Sequence, residues 1–202
     1  MVDFEEKRMA GDYEIFQAIS IGAKEIVVGE SLKNSPDERY MCAFCTTNEI
    51  FAQYADVMVS DDYMEILALF QKRVSEATEM LREELAQPER EGINESPVTD
   101  SGFVPVTSDD NLVGKVIVIR PDVLKREYQR ATRQYQLCTG GFGASPNSRG
   151  SACYCTNIYN GRTSRFERRD VLGIVMEDQM PEWVRERLNA AEKQKKRDRD
   201  AR

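Results

Sequence analysis

The chain has 202 residues, 35 of them acidic and 28 basic, which gives a formal net charge of −7. It contains no histidine, which excludes a Ser-His-Asp triad, a histidine general base and a histidine metal ligand. Its apolar runs are much shorter than the ~20 residues of a membrane helix, and its first residues lack the pattern of a signal peptide. Together with five cysteines, an odd number, these features predict a reduced, soluble, cytoplasmic protein without a membrane partner.

The charge is distributed unevenly along the chain. Residues 1–100 hold 22 acidic and 9 basic side chains, a net charge of −13, whereas residues 101–202 hold 13 acidic and 19 basic ones, a net charge of +6. A contrast of this size indicates two modules with different partners.

The first half has the pattern of several strands followed by one helix. The strand candidates are residues 13–21, 25–28, 40–45 and, more weakly, 50–59. Ser60, Asp61 and Asp62 are typical of a helix N-terminus. After them, apolar side chains recur at helical spacing, which predicts a helix packed on the sheet. This stripe consists of Tyr63, Leu67, Phe70, Val74, Ala77 and Leu81.

The second half begins after a segment rich in Pro, Gly, Ser and charge, residues 87–102, which reads as a linker with almost nothing to bury. A strand at 115–119 and a helix at 124–137 are predicted next. Gly140 and Gly141 are the stop signal that follows this helix. Strands at 151–159 and 163–168 are joined at Asn160-Gly161, a two-residue hairpin signal, and a short strand follows at 171–175. The last helix begins at Pro181 and gives way to a charged tail, which its composition predicts to be frayed or disordered.

These patterns predict an α+β protein of two small modules, each a short antiparallel sheet with one main helix, plus a C-terminal helix. The predicted boundaries are an acidic module at 1–86, the linker at 87–102, a basic module at 103–190 and the charged tail at 191–202.

The positive charge of the second half is concentrated in residues 115–169, with 11 basic and 3 acidic side chains. Arginine forks suit phosphate oxygens, so these arginines form either a nucleic-acid interface or an ordinary solvated face with ion pairs to acidic groups. On the predicted helix 124–137, Arg126, Arg130 and Arg133 lie on the face opposite the apolar side chains. The candidate nucleic-acid-binding residues are Arg126, Arg130, Arg133, Arg149, Arg162, Arg165, Arg168 and Arg169.

No residue pattern predicts catalysis, a cofactor or a metal. The glycine-rich stretch 140–150 lacks the P-loop pattern and does not lead from a strand into a helix, so a tight connection from a helix to a strand is its expected use. Cys42 and Cys45 lie in a strand-like run, where residues three apart face opposite ways, so they are expected to be buried thiols. We therefore predict a protein that is not an enzyme.

Two segments resemble proteins of mobile genetic elements. Residues 13–15, 22–29, 40–45 and 60–63 resemble small accessory proteins of Gram-positive, Clostridium-like integrative conjugative elements. The second segment is similar to a module of the large polyvalent proteins of conjugative elements and phages. It comprises Gly140 to Gly143, Ser145-Pro146, Gly150 to Ala152, Asn160-Gly161, Arg165 to Arg168, Asp170 and Gly173. The chain departs from that module where Gly161-Arg162 replaces Gly-Glu and Arg165-Phe166 replaces Arg-Trp.

The resemblance implies anti-defence work, and the chain looks like the broad-spectrum type II-A anti-CRISPR proteins of such elements. It implies an inhibitor that binds a CRISPR effector nuclease or its guide-RNA complex, with direct RNA or DNA contact through the basic second half. Two other functions remain open: a nucleic-acid-binding accessory or regulatory protein of conjugation, and a small metal-dependent nuclease. The sequence leaves the oligomeric state open.

Overall fold

The structure is a computed structural model that describes residues 8–33, 38–47 and 51–200. The chain divides into two compact units, Met1–Gln87 and Pro88–Arg202. Both units contain an antiparallel sheet, and the fold is of the α+β class, as predicted. No helix within the described ranges is long and apolar enough to cross a membrane.

The first unit contains a meander of five antiparallel strands in the order β1-β2-β3-β4-β5. Gly22, with a φ of 58°, opens the two-residue loop between Ile21 and Lys24, a conformation that glycine adopts without steric cost. All four predicted strands are confirmed, although residue 50 of the last lies outside the described residues. The strands are β1 (Met9–Ala10), β2 (Tyr13–Ile21), β3 (Lys24–Ser31), β4 (Tyr40–Thr47) and β5 (Ala52–Ser60).

Helix α1 (Tyr63–Arg90) packs on one face of this sheet. The backbone N–H of Met64 donates to the Asp62 carboxylate at 2.8 Å, which caps the helix where the sequence predicts its start. Phe70 and Ala77 of the predicted stripe are buried, but Ile66 is buried as well, and Tyr63 is 38% exposed. The helix therefore presents a face slightly rotated from the predicted one.

Arg73 of α1 is buried, although its charge predicts an exposed position. Its guanidinium donates to the backbone carbonyls of Cys42 at 3.0 Å and Asp56 at 2.6 Å, and it lies 4.9 Å from the centre of the Phe44 ring. The pairing of β4 with β5 is irregular between Cys42 and Phe44. Arg73 thus satisfies carbonyls at this irregularity, which offsets the cost of burying its charge.

The second unit contains a six-stranded antiparallel sheet in the order β10-β9-β8-β7-β11-β6. Its helices are the short α2 (Ala131–Gln134) and the C-terminal α3 (Glu182–Asp200). The predicted hairpin is confirmed as β9 and β10, but its connection has five residues rather than the two predicted, with Gly161 at a φ of 71°. The strands are β6 (Val104–Pro105), β7 (Val116–Ile119), β8 (Tyr135–Gly140), β9 (Ala152–Asn157), β10 (Thr163–Glu167) and β11 (Val171–Ile174).

Both faces of strand β7 are buried. Ile117 and Ile119 point to a cluster that includes Cys138, Cys153 and Cys155. Val116 and Val118 point to the opposite face, where Val184 and Trp183 of α3 cover the sheet. A strand buried on both sides reads as a continuous apolar run, which is how Val116–Ile119 appears in the sequence.

The predicted helix at 124–137 is wrong. The segment follows a 3-10 turn at Pro121–Val123, forms a second one at Arg126–Tyr128 and then α2, and becomes strand β8 at Tyr135. Strand β8 lies between β7 and β9 and supplies both with hydrogen-bonding partners. Tertiary pairing therefore overrides the helical periodicity of the arginines and tyrosines.

Two further expectations differ from the structure. Residues 88–102 belong to the second compact unit, where Ile93 is 8% exposed and Glu95 is 9% exposed, so this segment buries more than its composition suggests. The Gln134 side chain accepts from the backbone N–H of Val98 and donates to its carbonyl, both at 2.7 Å. In the predicted tail, α3 continues to Asp200, because most residues there are strong helix formers.

Candidate nucleic-acid interface

The β9–β10 hairpin has one buried and one exposed face. Cys153 and Cys155 point into the core, and Phe166 packs against them. Because side chains alternate along a strand, Tyr154 and Arg165 point to the other face. They stand directly opposite one another in the register of the two strands.

The opposite face carries an aromatic ring beside a cation. Tyr154 is 53% exposed, and Arg165 is exposed as well. Opposed residues of an antiparallel pair have Cβ atoms about 5 Å apart. An exposed ring can stack on a base while a neighbouring arginine contacts phosphate, which is the combination that single-stranded nucleic acids require.

Two other predicted arginines flank this pair. Arg162 is exposed in the connection that precedes β10. Arg169 follows β10 and is also exposed, with its Nε 2.8 Å from the Glu167 carboxylate. We call Tyr154, Arg162, Arg165 and Arg169 the hairpin surface. Its three guanidinium groups and the Glu167 carboxylate beside them give this region a positive net charge.

The glycine-rich loop adds a second exposed aromatic side chain and a fourth exposed arginine. Phe142 is 81% exposed, and Arg149 is exposed in the same loop. Gly150 lies so close to Phe142 that a Cβ there would be 2.5 Å from the Cβ of Phe142. The loop runs from β8 to β9 through a 3-10 turn at Phe142–Ala144, so it is a tight connection, but between two strands.

Arg168 has a structural role. Its guanidinium binds two loops of the second unit by donating to five backbone carbonyls. They belong to Thr107 (2.5 Å), Gly143 (2.6 Å), Asp110 (2.7 Å), Ser145 (3.3 Å) and Ser108 (3.4 Å). A guanidinium occupied in this way is not available to phosphate. In the same loop, hydrogen bonds from the backbone and side chain of Thr107 lower the pKa of Asp110.

Arg130 is also engaged inside the unit. Its Nε lies 3.4 Å from the Glu95 carboxylate, whose side chain is 6% exposed. The Thr132 hydroxyl donates to the same oxygen at 2.9 Å, while the other oxygen, Oε1, has no hydrogen-bond partner. Burial raises the pKa of Glu95, and the contacts with Thr132 and Arg130 offset that effect only in part.

Arg133 and Arg126 do not join Arg130 on a helix face, because the predicted helix is absent. The Arg133 guanidinium lies 4.8 Å from the centre of the Tyr128 ring, and its side chain is half-buried. Arg126 is exposed in the 3-10 turn. Of the eight predicted arginines, Arg130, Arg133 and Arg168 thus have internal contacts that stabilise the unit. The exposed ones are Arg126, Arg149, Arg162, Arg165 and Arg169.

The five cysteines are buried free thiols, which confirms the burial predicted for Cys42 and Cys45. Cys42 and Cys45 belong to clusters on opposite faces of β4. Within the described ranges, no group of three or more cysteine, aspartate or glutamate side chains is placed to hold a metal ion.

The aromatic side chains of the interface were missed by reasoning from charge. The alternation of Cys153, Tyr154 and Cys155 contains the signal, because two buried cysteines in a strand place the residue between them on the opposite face. Phe142 has no comparable signal, since loop residues follow no fixed alternation.

No protein-family model, curated protein or solved structure matches the chain.

Proposed function

We propose that this chain is a cytoplasmic anti-defence protein of a mobile genetic element. In this proposal it inhibits a type II CRISPR RNA-guided effector nuclease, without catalysis, by binding the effector or its guide RNA. The observation that carries nucleic-acid contact is the exposed pair of Tyr154 and Arg165 on the hairpin. The anti-defence role is supported by the resemblance of two chain segments to proteins of conjugative elements.

The charge distribution supports two kinds of contact with such an effector. Effector nucleases hold their guide–target duplex in a positively charged channel. Residues 1–100, with a net charge of −13, suit binding to such a channel in competition with nucleic acid. The hairpin surface, with the opposite charge, suits contact with the guide RNA.

A plasmid-interference assay tests the inhibitory function. Cells with an active type II effector and a matching guide lose a targeted plasmid, and co-expression of this protein should restore plasmid survival. The double variant Arg162→Ala/Arg165→Ala should restore it less well. Lys193→Ala/Arg197→Ala is the matched control, because it removes the same charge from exposed positions of α3, outside the acidic first half and the hairpin surface, and should act as wild type. Normal targeting in the presence of the wild-type protein, tested against several effector orthologues, would contradict the proposal.

A pull-down with the tagged protein, with and without nuclease treatment, identifies the partner. Recovery of the effector only without nuclease indicates that guide RNA mediates the contact, whereas recovery under both conditions indicates a protein contact. Either result supports the proposal. Failure to recover the effector under both conditions contradicts it.

The same hairpin surface favours one alternative, a nucleic-acid-binding accessory or regulatory protein of conjugation. This alternative predicts direct binding to DNA or RNA with no effect on plasmid interference. Binding that is absent, or that does not weaken as salt is raised, would contradict it.

A further inference from the structure

The second unit contains a cavity of about 550 Å³ on the side of the sheet covered by α3. This volume lies within the range of small-molecule sites, about 300–1,000 Å³. Part of the lining is apolar, with Ile93, Val98, Ala131 and Pro181. These side chains can accommodate a hydrocarbon stem.

Aromatic rings form a second part of the lining. Tyr135 and Trp183 both line the cavity, and they meet edge to face with their centres 5.5 Å apart. Aromatic faces attract cations through their quadrupole, and tryptophan does so most strongly. Trp183 is the single tryptophan of the chain, so its fluorescence reports on this cavity alone.

Carboxylates form the third part of the lining. Glu182 and Glu186 lie one turn apart on α3, and both line the cavity. Among the described residues, neither has an ion-pair partner. The N-terminus of α3 contributes about half a positive charge through the helix dipole. Glu182 and Glu186 contribute two negative charges, which exceed it, so the cavity attracts cations.

The unit already contains a contact of the same chemistry beside the cavity. The Arg187 guanidinium lies 4.7 Å from the centre of the Tyr159 ring, and its Nη2 lies 2.8 Å from the Glu91 carboxylate. A cation between a ring and a carboxylate is therefore compatible with this environment. Glu91 lines the cavity too, but its charge is neutralised by Arg187.

From the cavity, its rings and its two unpaired carboxylates, we propose that this site binds an alkylammonium cation. The ammonium group lies against Glu182 and Glu186, and the hydrocarbon stem lies along the apolar and aromatic lining. Two sources share this chemistry: a free linear polyamine and a lysine side chain of a partner protein. The site is separate from the hairpin surface and does not depend on the proposed function.

The test follows Trp183 fluorescence of the full chain during titration with n-pentylamine, and with 1-pentanol as its uncharged counterpart. The amine should change the emission in a saturable manner, and the alcohol should bind much more weakly. In Glu182→Gln/Glu186→Gln, the affinity for the amine should fall about tenfold. The matched control, Glu177→Gln/Asp178→Asn, removes two exposed carboxylates that do not line the cavity and should bind as wild type.

Titrations with spermidine and with a lysine-containing peptide then distinguish the two sources, and tighter binding of either one identifies it. Equal binding of pentanol and pentylamine would overturn the proposal, because the cavity would then select for apolar character alone. Undiminished amine affinity in Glu182→Gln/Glu186→Gln would overturn it as well. A far-ultraviolet dichroism spectrum like that of wild type shows that this variant is folded.

Discussion

Replacing Arg168 by alanine should destabilise the protein, although the residue belongs to the arginines that the sequence assigns to nucleic-acid binding. In the structure its guanidinium donates three short hydrogen bonds, to Thr107, Gly143 and Asp110, at 2.5 to 2.7 Å. These carbonyls lie in two loops far apart in sequence, so this one side chain fixes both loops.

The magnitude follows from these contacts. A hydrogen bond to a charged group contributes about 1.5–3 kcal/mol, and such contributions are not additive. The loops are partly exposed, so water replaces some of the lost donors, and a total near 3 kcal/mol is expected for Arg168→Ala. Arg168→Lys should lose a large part of this, because an ammonium group lacks the planar fork that reaches both loops.

Urea denaturation followed by circular dichroism measures this effect. Arg126→Ala serves as the control, because it removes the same charge from an exposed 3-10 turn and should change the free energy of unfolding by less than about 0.5 kcal/mol. The reasoning is refuted if Arg168→Ala is as stable as Arg126→Ala.

Three other outcomes follow from the buried groups of the molecule. A carboxyl with a raised pKa holds its proton more tightly in the folded state than in the unfolded state. Glu95 therefore lowers the stability of the fold as the pH rises above 4.5, the ordinary pKa of this carboxyl. Glu95→Gln should therefore gain stability relative to wild type as the pH rises above 4.5 in paired denaturation curves, and a constant difference would contradict this. Gly143→Ala should lower the free energy of unfolding by at least about 2 kcal/mol, because the added Cβ would overlap the Ser151 carbonyl. Gly161→Ala should lower it by only about 1 kcal/mol, because the added Cβ meets open space and only the positive φ is unfavourable. With Ellman's reagent, all five buried thiols should react slowly in the folded protein and quickly in the unfolded protein. Fast reaction of any thiol in the folded protein would show that its burial is incomplete.

Local sequence patterns predicted much of the fold. Gly22 between alternating segments, the Asp62 cap and the Asn160-Gly161 hairpin signal act over a few residues, and the structure contains each feature where the pattern indicates it. The helix predicted at 124–137 failed because its spacing competes with a tertiary demand. Strand β8 completes the sheet between β7 and β9, and a local pattern contains no information on that demand.

The candidate site was predicted in composition but not in detail. A count of charges cannot separate Arg168, which binds loop carbonyls, from Arg165, which is exposed three residues earlier. The distinction depends on which loops fold around each side chain. Arg73 illustrates the same limit in the first unit, where an irregular strand pairing provides carbonyls for a charged side chain that the sequence indicates as exposed.

The most direct test of the central claim is the salt dependence of RNA binding by the full-length protein. If Arg149, Arg162 and Arg165 each contact a phosphate of a single strand, the logarithm of the affinity should fall with the logarithm of the salt concentration with a slope of about −2. In Arg162→Ala/Arg165→Ala the slope should approach −0.7, whereas Lys72→Ala/Arg82→Ala, which removes the same charge from exposed positions of α1, should retain the wild-type slope. Equal slopes for wild type and the hairpin double variant would contradict the assignment of this surface to nucleic acid.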